Sequence, residues 1–336
     1  MTGLPARHEQ YGGIITARAG TRIVAHYGRP ERTYRAVRNV AGVIEHGLGV
    51  IVVKGAWREQ LVEENFSNRL PDVDAGQYGF VLTDGSIVAD AYVFTVEDRI
   101  LAFVPPDRTD AVVEAWSGDG VVVQDNSDAF AGFGVYGPEA TEKVASVCSA
   151  TTPDSALSID RGAIQDSGVT VIRDDGVTGE EGYLLIAASA DAAEVFDALV
   201  NRGLSAAPFG YETWETLTLE AGTPLFETEL RDTDPAAIGI SNAFPPAEDP
   251  SQGDHRLRAF TAATAPVDGT TVYAGGRAVG EVTRAREQPK DEGAVGFAMV
   301  ETDEETVAIG DERLAATISS PPFVQGSDRS ARLLEE

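Results

Sequence analysis

The sequence is poor in the residue types that build many common functional sites. Its 336 residues include one cysteine, Cys148, which excludes an internal disulfide and any metal site made of several thiolates. The four histidines are scattered along the chain, which disfavours a histidine-rich metal site. No run approaches the roughly 20 apolar residues of a membrane helix, and the N-terminal stretch lacks the apolar core of a secretory signal. We therefore expect a cytoplasmic protein without a membrane segment or a bound metal.

Positive charge is also scarce. Lysine and arginine total 26 against 54 aspartates and glutamates, a formal net charge of −28, and only Lys54, Lys143 and Lys290 are lysines. Such a surface repels itself in dilute buffer but is tolerated where about 1 M salt shortens the Debye length to about 3 Å. This favours a halophilic, salt-rich cytoplasm over an acidic face for a basic partner. Nucleic-acid binding is disfavoured, because phosphate contacts need clustered Lys and Arg.

Three common catalytic signatures are missing. The sequence has no G-x-G-x-x-G after a strand, no G-x-x-x-x-G-K-[ST] and no H-E-x-x-H. The usual nucleotide-binding and zinc-protease patterns are therefore excluded as a basis for function, and the candidate chemistry has to come from other residues.

Segments of strand and helix character alternate irregularly along the chain. β-Branched apolar runs bounded by Gly, Asp or Pro predict strands at 49–55, 99–106, 120–125, 130–137, 169–174 and 183–188. Helical spacing predicts helices at 107–116, 138–148 and 191–203, the last capped by Asp191 and ended by Gly203. This order indicates an α+β fold with mostly antiparallel strands, not repeated strand–helix–strand units.

A polar, proline-rich stretch, NAFPPAEDPSQGDHR at 242–256, divides the chain. Beyond it the sequence has short strands with Gly-rich turns and no convincing helix, which predicts a small β-barrel. We therefore predict an α+β body over 1–242, built of two interleaved subdomains, a linker over 243–255 and a barrel domain over 256–336.

A few acids and tyrosines lie in apolar or Gly-rich settings. Asp90 is the one carboxylate in GSIVADAY (85–92), Tyr78 lies in DAGQYGFVL, Glu180 and Tyr183 lie in VTGEEGYLL, and Glu220 lies between leucines. Each alone is explained as an edge-strand polar residue, a turn or cap acid, or a satisfied core carboxylate. Together they predict a pocket for a flat, nitrogen-rich heterocycle, since a carboxylate accepts paired N–H bonds and tyrosines supply walls.

Several segments, in order along nearly the whole chain, resemble the glycine-cleavage T-protein. HYGRPERTYRAVRNVAGVIE (26–45) is similar to that family's opening helix. The family's G-G-I-x-D-D-L-x-V, Q-G-P-x-A, T-G-E-x-G-Y, L-R-L-E-A-G and G-x-x-x-G-x-V-T segments resemble GSIVADAYV (85–93), GVYGPEATEKVASV (134–147), VTGEEGYLL (177–185), TLTLEAGTPLF (216–226) and GGRAVGEVTRA (275–285).

The resemblance implies a three-part, cloverleaf-like fold with tetrahydrofolate as cosubstrate in a central channel. It implies an aminomethyltransferase that takes its group from the lipoyl arm of H-protein and forms methylenetetrahydrofolate and ammonia. Matched motif by motif, it makes Asp90 the catalytic carboxylate and Glu220 the group that grips the pteridine. Tyr78, Glu180 and Tyr183 fall at positions that flank the folate.

The sequence departs from the family pattern in four places. Ala89 replaces the first Asp of the D-D pair, Thr218 replaces the Arg of L-R-L-E-A-G, HGLG (46–49) replaces S-H-M, and residues 244–256 replace the segment before the barrel. These departures keep two alternatives open. One is a non-catalytic YgfZ-type folate-binding protein that assists iron–sulfur maintenance or tRNA modification, and the other is a paralogue with a structural role. Asp90 and Glu220 favour the enzyme.

Overall fold

A computed structural model describes residues 3–83, 86–231, 233, 235–238, 255–290, 292–319 and 326–332. In these residues the α-helices are α1 Leu4–Gln10, α2 Pro30–Asn39, α3 Arg58–Glu64, α4 Thr109–Ala115, α5 Ala140–Val147, α6 Ala192–Asn201 and α7 Tyr211–Glu220. The strands are β1 Ile14–Arg18, β2 Thr21–His26, β3 Gly42–His46, β4 Gly49–Gly55, β5 Gly76–Thr83, β6 Ser86–Val96, β7 Arg99–Val104, β8 Val121–Asp125, β9 Phe130–Tyr136, β10 Ile159–Ile164, β11 Ser167–Arg173, β12 Gly182–Ala188, β13 Ala207–Pro208, β14 Arg256–Ala262, β15 Thr271–Ala274, β16 Arg277–Glu287, β17 Ala294–Val300, β18 Thr306–Ile309 and β19 Leu314–Ser319.

The strands and helices expected from the hydrophobic pattern are present within a few residues of their predicted ends. β4 shows why the pattern is informative: Val50 to Val53 are all buried, because this strand lies between β7 and β8 and both of its faces are covered. Asp191 occupies the N-cap position of α6, but its side chain makes no capping hydrogen bond, so the predicted capping interaction is wrong. α6 is instead held by its buried apolar face.

The body contains two large sheets. The five-stranded sheet has the order β5-β6-β7-β4-β8, and the six-stranded sheet has the order β10-β11-β12-β9-β3-β13. All strand pairs in them are antiparallel except β13 with β3. The predicted α+β fold with mostly antiparallel sheets is confirmed.

Each sheet buries both of its faces. Helices α3 and α4 cover one face of the five-stranded sheet, against which they pack Val62 and Val112. Helices α5 and α6 cover one face of the six-stranded sheet, with Phe196 in that core. A third apolar cluster joins strands of both sheets and defines the inter-sheet core, which consists of Val50, Tyr78, Phe80, Ile87, Tyr92, Phe94, Phe103, Leu157, Ile172, Leu184, Ile186, Phe226 and Leu230.

β6 is an interior strand. It pairs with β5 along most of its length and with β7 from Tyr92 onward. Asp90 faces a buried environment with 9% of its surface exposed. Asp90 itself pairs with Phe80 of β5, two residues before the pairing with β7 begins, and it is buried although β7 does not reach it.

The last strands close into a barrel with the order β14-β17-β16-β15-β18-β19, which confirms the predicted C-terminal β-barrel. A small apolar contact formed by Leu219 of α7 with Ala259, Val295 and Phe297 joins the barrel to the body. Of the predicted linker over 243–255, residues 243–254 lie outside the described residues, and the predicted domain boundaries stay a prediction.

A fully buried arginine strengthens this junction. Arg284 of β16 donates to Thr218 Oγ1 at 2.9 Å and to the Thr223 carbonyl at 3.0 Å, and it lies 3.2 Å from the Glu229 carboxylate. Both charged side chains are 0% exposed. Each therefore needs the other, because an unpaired charge in an apolar interior is strongly unfavourable.

The short C-terminal segment 326–332 returns to the body. Gly176 has φ of +79°, and a Cβ at this position would lie 2.5 Å from the Ser330 backbone nitrogen. Glycine is therefore required twice over, for its left-handed conformation and for the close approach of the segment. This approach brings Arg332 to the inter-sheet core.

No helix within the described ranges is both long and apolar enough to cross a membrane.

The Arg284–Glu229 pair yields a stability prediction. Arg284→Ala leaves Glu229 buried without its cation, so we expect the free energy of unfolding to fall by about 3–5 kcal/mol. Urea unfolding followed by circular dichroism would measure it. Arg277→Ala, at an exposed position of the same strand, is the matched control and should change stability by less than about 0.5 kcal/mol. Equal effects of the two substitutions would contradict the assignment.

Candidate functional site

A cavity opens at the margin of the inter-sheet core. It encloses about 740 Å³, part of which is open to solvent. Aromatic side chains from both sheets and from the chain around α7 form much of its wall, namely Tyr92, Phe103, Tyr136, Tyr211, Trp214 and Phe226. Aromatic walls with a few polar groups are typical of a small-molecule site.

Charged groups of both signs also line the cavity: Asp90, Asp174, Glu227, Arg18 and Arg332. No group of three or more His, Cys, Asp or Glu side chains in the described part of the chain is arranged to hold a metal ion. The chemistry of the cavity therefore depends on these carboxylates, the guanidinium groups and the tyrosine hydroxyls.

Asp90 is the carboxylate that β6 brings to the cavity. Tyr78, which lies diagonally across from Asp90 on β5 and directly opposite Tyr92, donates its hydroxyl to Asp90 Oδ2 at 3.0 Å. Burial raises the pKa of Asp90, while Arg332, 4.0 Å away, and the Tyr78 hydroxyl lower it in part. Burial therefore makes Asp90 a stronger proton acceptor than an exposed carboxylate.

Asp174 is a second buried carboxylate on the cavity wall. It follows β11, and it accepts hydrogen bonds from the hydroxyls of Tyr92 at 2.8 Å and Tyr136 at 3.0 Å. Burial raises its pKa, against the lowering effect of Arg332 and the two hydroxyls. Two of the three carboxylates on the cavity wall, Asp90 and Asp174, are thus positioned by tyrosine hydroxyls.

Arg332 lies between these two carboxylates. Its Nε donates to the Tyr92 hydroxyl at 2.6 Å, and its guanidinium carbon lies 5.3 Å from the Tyr78 ring centre and 4.9 Å from that of Tyr92. Cation–π contacts with two aromatic rings and a nearby carboxylate stabilise its charge. The C-terminal segment thereby supplies a cation to a site otherwise built from the body.

Arg18 supplies the second cation. The β1–β2 hairpin holds it, and its guanidinium pairs with Glu215 of α7 and with Glu227. The guanidinium also lies 5.0 Å from the Tyr211 ring centre. Arg18 and Arg332 are therefore cations at two different points of one cavity wall.

His46, at the end of β3, borders this cavity and a neighbouring one. Its Nε2 lies 3.3 Å from the Tyr136 hydroxyl, and its ring packs edge-on against Trp214 at 4.8 Å. Burial, together with the Arg332 charge, lowers the pKa of His46 to about 3. The imidazole is therefore neutral at physiological pH.

Glu220 is not part of the cavity wall. Its carboxylate accepts the Tyr34 hydroxyl at 2.8 Å and pairs with Arg38 at 2.6 Å, between α2 and α7. Arg38 also donates to the Thr178 carbonyl at 2.5 Å. These contacts engage both oxygens of Glu220, so the prediction that it grips a pteridine gains no support from this geometry.

The other three predicted residues lie in three different places. Tyr78 lies directly behind Asp90, as described. Glu180 lies 3.6 Å from Arg38, beside the Glu220 cluster, and Tyr183 is buried in the helix-covered face of its sheet, bonded to Arg173 at 2.6 Å. Neither Glu180 nor Tyr183 lines the cavity.

Several cavity residues were missed by the sequence reasoning. Tyr92 could have been found, because it lies two residues after Asp90 on one strand and so shares its face. Asp174 and Tyr136 end strands that were correctly predicted, but nothing in the sequence pairs those strand ends. Arg332 carries no local signal, since its role depends on the return of the C-terminal segment.

Two family models match the chain. The one described as GCVT N-terminal domain matches residues 4–244, and the one described as Glycine cleavage T-protein C-terminal barrel domain matches residues 255–325. The chain belongs to the glycine cleavage T-protein family. The resemblance inferred from the sequence motifs is thereby confirmed.

Curated relatives and a solved structure agree with this family. An aminomethyltransferase of Corynebacterium aurimucosum is 28% identical over 329 residues, covering 89% of each chain, and one of Mycobacterium avium is 28% identical with 96% coverage of each. A crystal structure of glycine cleavage system aminomethyltransferase T from Bartonella henselae superposes with a TM-score of 0.83 at 19% identity, covering 97% of this chain and 98% of that one. The latter likeness supports the T-protein fold.

The half-buried imidazole of His46, whose pKa is lowered, predicts a pH-dependent loss of stability. Because its pKa is about 3 when folded and about 6.5 when unfolded, the unfolded state alone binds this proton between those values. His46 therefore lowers stability as pH falls from 6.5 toward 3, by up to about 1.4 kcal/mol per pH unit. His46→Gln should remove this contribution, as measured by urea unfolding across that range.

The exposed His255 provides the control for this measurement. His255→Gln should leave the pH dependence of unfolding as it is in the unsubstituted protein. If His46→Gln and the unsubstituted protein lose stability in parallel from pH 6.5 downward, His46 is not buried as a neutral ring.

Glu220→Gln tests whether Glu220 serves as the partner of Arg38 or as a ligand-binding residue. Removing one partner of a buried ion pair leaves Arg38 uncompensated, so we expect about 3–5 kcal/mol of destabilisation in urea unfolding. Glu212→Gln, on the exposed side of the same helix, is the control. A stable Glu220→Gln protein that has lost only ligand affinity would instead favour the ligand-binding role predicted from the sequence.

Proposed function

We propose that this protein transfers an aminomethyl group from the lipoyl arm of an H-protein to tetrahydrofolate, forming methylenetetrahydrofolate and ammonia. The observation that carries the proposal is a buried carboxylate, Asp90, on the wall of an aromatic cavity between two sheets. Membership of the T-protein family and relatives that are aminomethyltransferases support it. They favour the enzyme over the non-catalytic YgfZ-type alternative.

The cavity suits a reduced folate. Its aromatic walls can pack against a flat pteridine, and its carboxylates can accept hydrogen bonds from ring nitrogens. Arg18 and Arg332 offer cations to the carboxylates of the folate's glutamyl group.

Asp90 is proposed as the catalytic carboxylate. Forming the methylene bridge requires the folate nitrogens to lose protons while the amine leaves. A carboxylate whose pKa is raised by burial is suited to take such a proton and pass it on. Tyr78 is proposed to orient Asp90 through its hydroxyl and not to contact the folate, because it lies behind the cavity wall.

Glu220 and Glu180 are proposed to support the site at a distance. The Arg38–Glu220 pair ties α2 to α7, and Arg38 holds the loop that includes Thr178 and Glu180. α7 in turn carries Trp214 and Glu215, which shape the cavity or hold Arg18. Through these contacts the cluster keeps the wall of the cavity in place.

The test is tetrahydrofolate binding combined with Asp90→Asn. Binding to the folded state should raise its stability by about 2.7 kcal/mol at a ligand concentration 100 times Kd, seen as a thermal shift. Asp90→Asn preserves shape but accepts no proton, so turnover should fall about 100-fold or more while Kd changes little. Turnover is measured as ammonia released from aminomethylated H-protein with tetrahydrofolate.

Asp119→Asn, an exposed aspartate outside the cavity, is the matched control and should turn over normally. Absence of tetrahydrofolate binding would overturn the proposed ligand. Binding without ammonia release would favour the non-catalytic folate-binding alternative. Normal turnover by Asp90→Asn would remove Asp90 from its proposed role.

A further inference from the structure

A continuous chain of hydrogen-bonding groups leads away from the second carboxylate of the cavity. Asp174 Oδ2 accepts the Tyr136 hydroxyl at 3.0 Å, and the oxygen of that hydroxyl lies 3.3 Å from His46 Nε2. Asp174 is 4% exposed and Tyr136 1% exposed, so water has little access to either link. The role proposed above for Asp90 leaves this chain without a function.

The hydrogen-bonded series Asp174–Tyr136–His46 begins at one cavity and ends at another. Asp174 and Tyr136 line the cavity assigned to the folate, but they do not line the neighbouring one. His46 lines both, together with Gly47 and Leu48. The neighbouring cavity is also bordered by Glu45, which makes it a polar compartment next to the imidazole.

Hydrogen-bond directions decide which part of the chain can move a proton. Arg332 Nε can only donate to Tyr92, so Tyr92 has its one proton left to donate to Asp174 Oδ1. That side is fixed. Tyr136 has no such constraint, since its hydroxyl can donate either to Asp174 or to His46 while accepting from the other.

We propose that Asp174 is the second proton-transfer residue of the cavity, and that Tyr136 and His46 carry its proton to the neighbouring cavity. The inference rests on the proposed aminomethyl transfer. It names a use for a carboxylate that the Asp90 mechanism does not employ. Burial, which favours the neutral form of Asp174, is consistent with a group that can hold a proton briefly.

The reaction moves two protons, so it can employ two such groups. Two folate N–H bonds break as two C–N bonds form to the transferred carbon, whose bonds to the amine nitrogen and to sulfur break. The amine leaves with one additional proton as ammonia, and the sulfur becomes a thiol with the other. Asp90 can pass one proton to the departing amine.

The second proton takes the route through Asp174. The protonated carboxyl donates to the Tyr136 oxygen as Tyr136 donates to His46 Nε2, and the imidazole releases its Nδ1 proton to water. The departing thiolate takes a proton from water, so no charge remains on the protein. His46 accepts a proton at Nε2 as it releases one from Nδ1. Because no imidazolium has to accumulate, the low basicity of His46 does not block the relay.

The hydrogen-bonded chain can be tested without turnover. With four histidines in the chain, a spectrum of ¹⁵N-histidine-labelled protein would resolve each ring. Asp174→Asn and Tyr136→Phe should each shift the His46 Nε2 signal and leave those of the other histidines unchanged. Tyr27→Phe, which removes the corresponding hydroxyl at His8 (2.6 Å from Nδ1), should shift His8 and not His46.

Single-turnover kinetics test the proton-transfer role. Asp174→Asn and Tyr136→Phe should each slow aminomethyl transfer about 100-fold, with tetrahydrofolate Kd changed less than threefold. Added formate, a diffusible carboxylate, should restore much of the rate in Asp174→Ala and none in Tyr136→Phe. Asp197→Asn removes another tyrosine-bound aspartate, at 2.8 Å from the Tyr11 hydroxyl, and should transfer normally.

The outcomes separate this inference from the proposed function. Transfer that requires Asp90 but proceeds normally in Asp174→Asn overturns the inference alone. A slow Asp174→Ala protein that formate does not restore gives Asp174 a purely structural role. If neither Asp174→Asn nor Tyr136→Phe shifts the His46 Nε2 signal, the hydrogen-bonded series from Asp174 to His46 is not formed, and the inference is overturned. A wild-type protein that binds tetrahydrofolate but transfers nothing overturns the proposed function, and the proton-transfer role with it.

Discussion

The face-to-face packing of two antiparallel sheets is the constraint on which the rest of the structure depends. Helices cover the outer face of each sheet, so the inner faces must bury each other and leave no room for water between them. Any polar group at the margin of this contact has lost its hydration and must find a partner in the protein. The cavity forms at this margin, where the aromatic side chains stop filling the space completely.

The need of each buried polar group for a partner accounts for the arrangement of the site. Two aspartates, three tyrosines and one arginine hydrogen-bond or pack against one another, and the carboxylates have raised pKa values because burial outweighs the partners they find. The same low-polarity surroundings that make these groups unfavourable to bury also make them reactive. The groups to which we assign proton transfer are thereby held in place by contacts within the protein alone.

Buried ion pairs connect this site to the rest of the protein. Arg38–Glu220 joins α2 to α7, and Arg284–Glu229 joins the barrel to the chain that follows α7. Such pairs add little net stability compared with apolar packing, but they tolerate only one arrangement. α7 lies between both pairs and carries Trp214 to the cavity wall, so the position of the barrel is coupled to the shape of the site.

The sequence by itself determined the local elements, the mostly antiparallel fold, the C-terminal barrel and the family. Strand and helix periods, turn residues and short motifs are local, so they can be read without knowing what packs against what. It also singled out Asp90, because one carboxylate in an apolar strand is a local anomaly. Only the tertiary structure decided which groups meet Asp90, that Glu220 is occupied by Arg38, and that Asp174, His46 and Arg332 share one cavity. Those contacts join residues up to 240 positions apart, as in Tyr92 with Arg332, and such distances are set by sheet packing and chain return, which leave no local pattern.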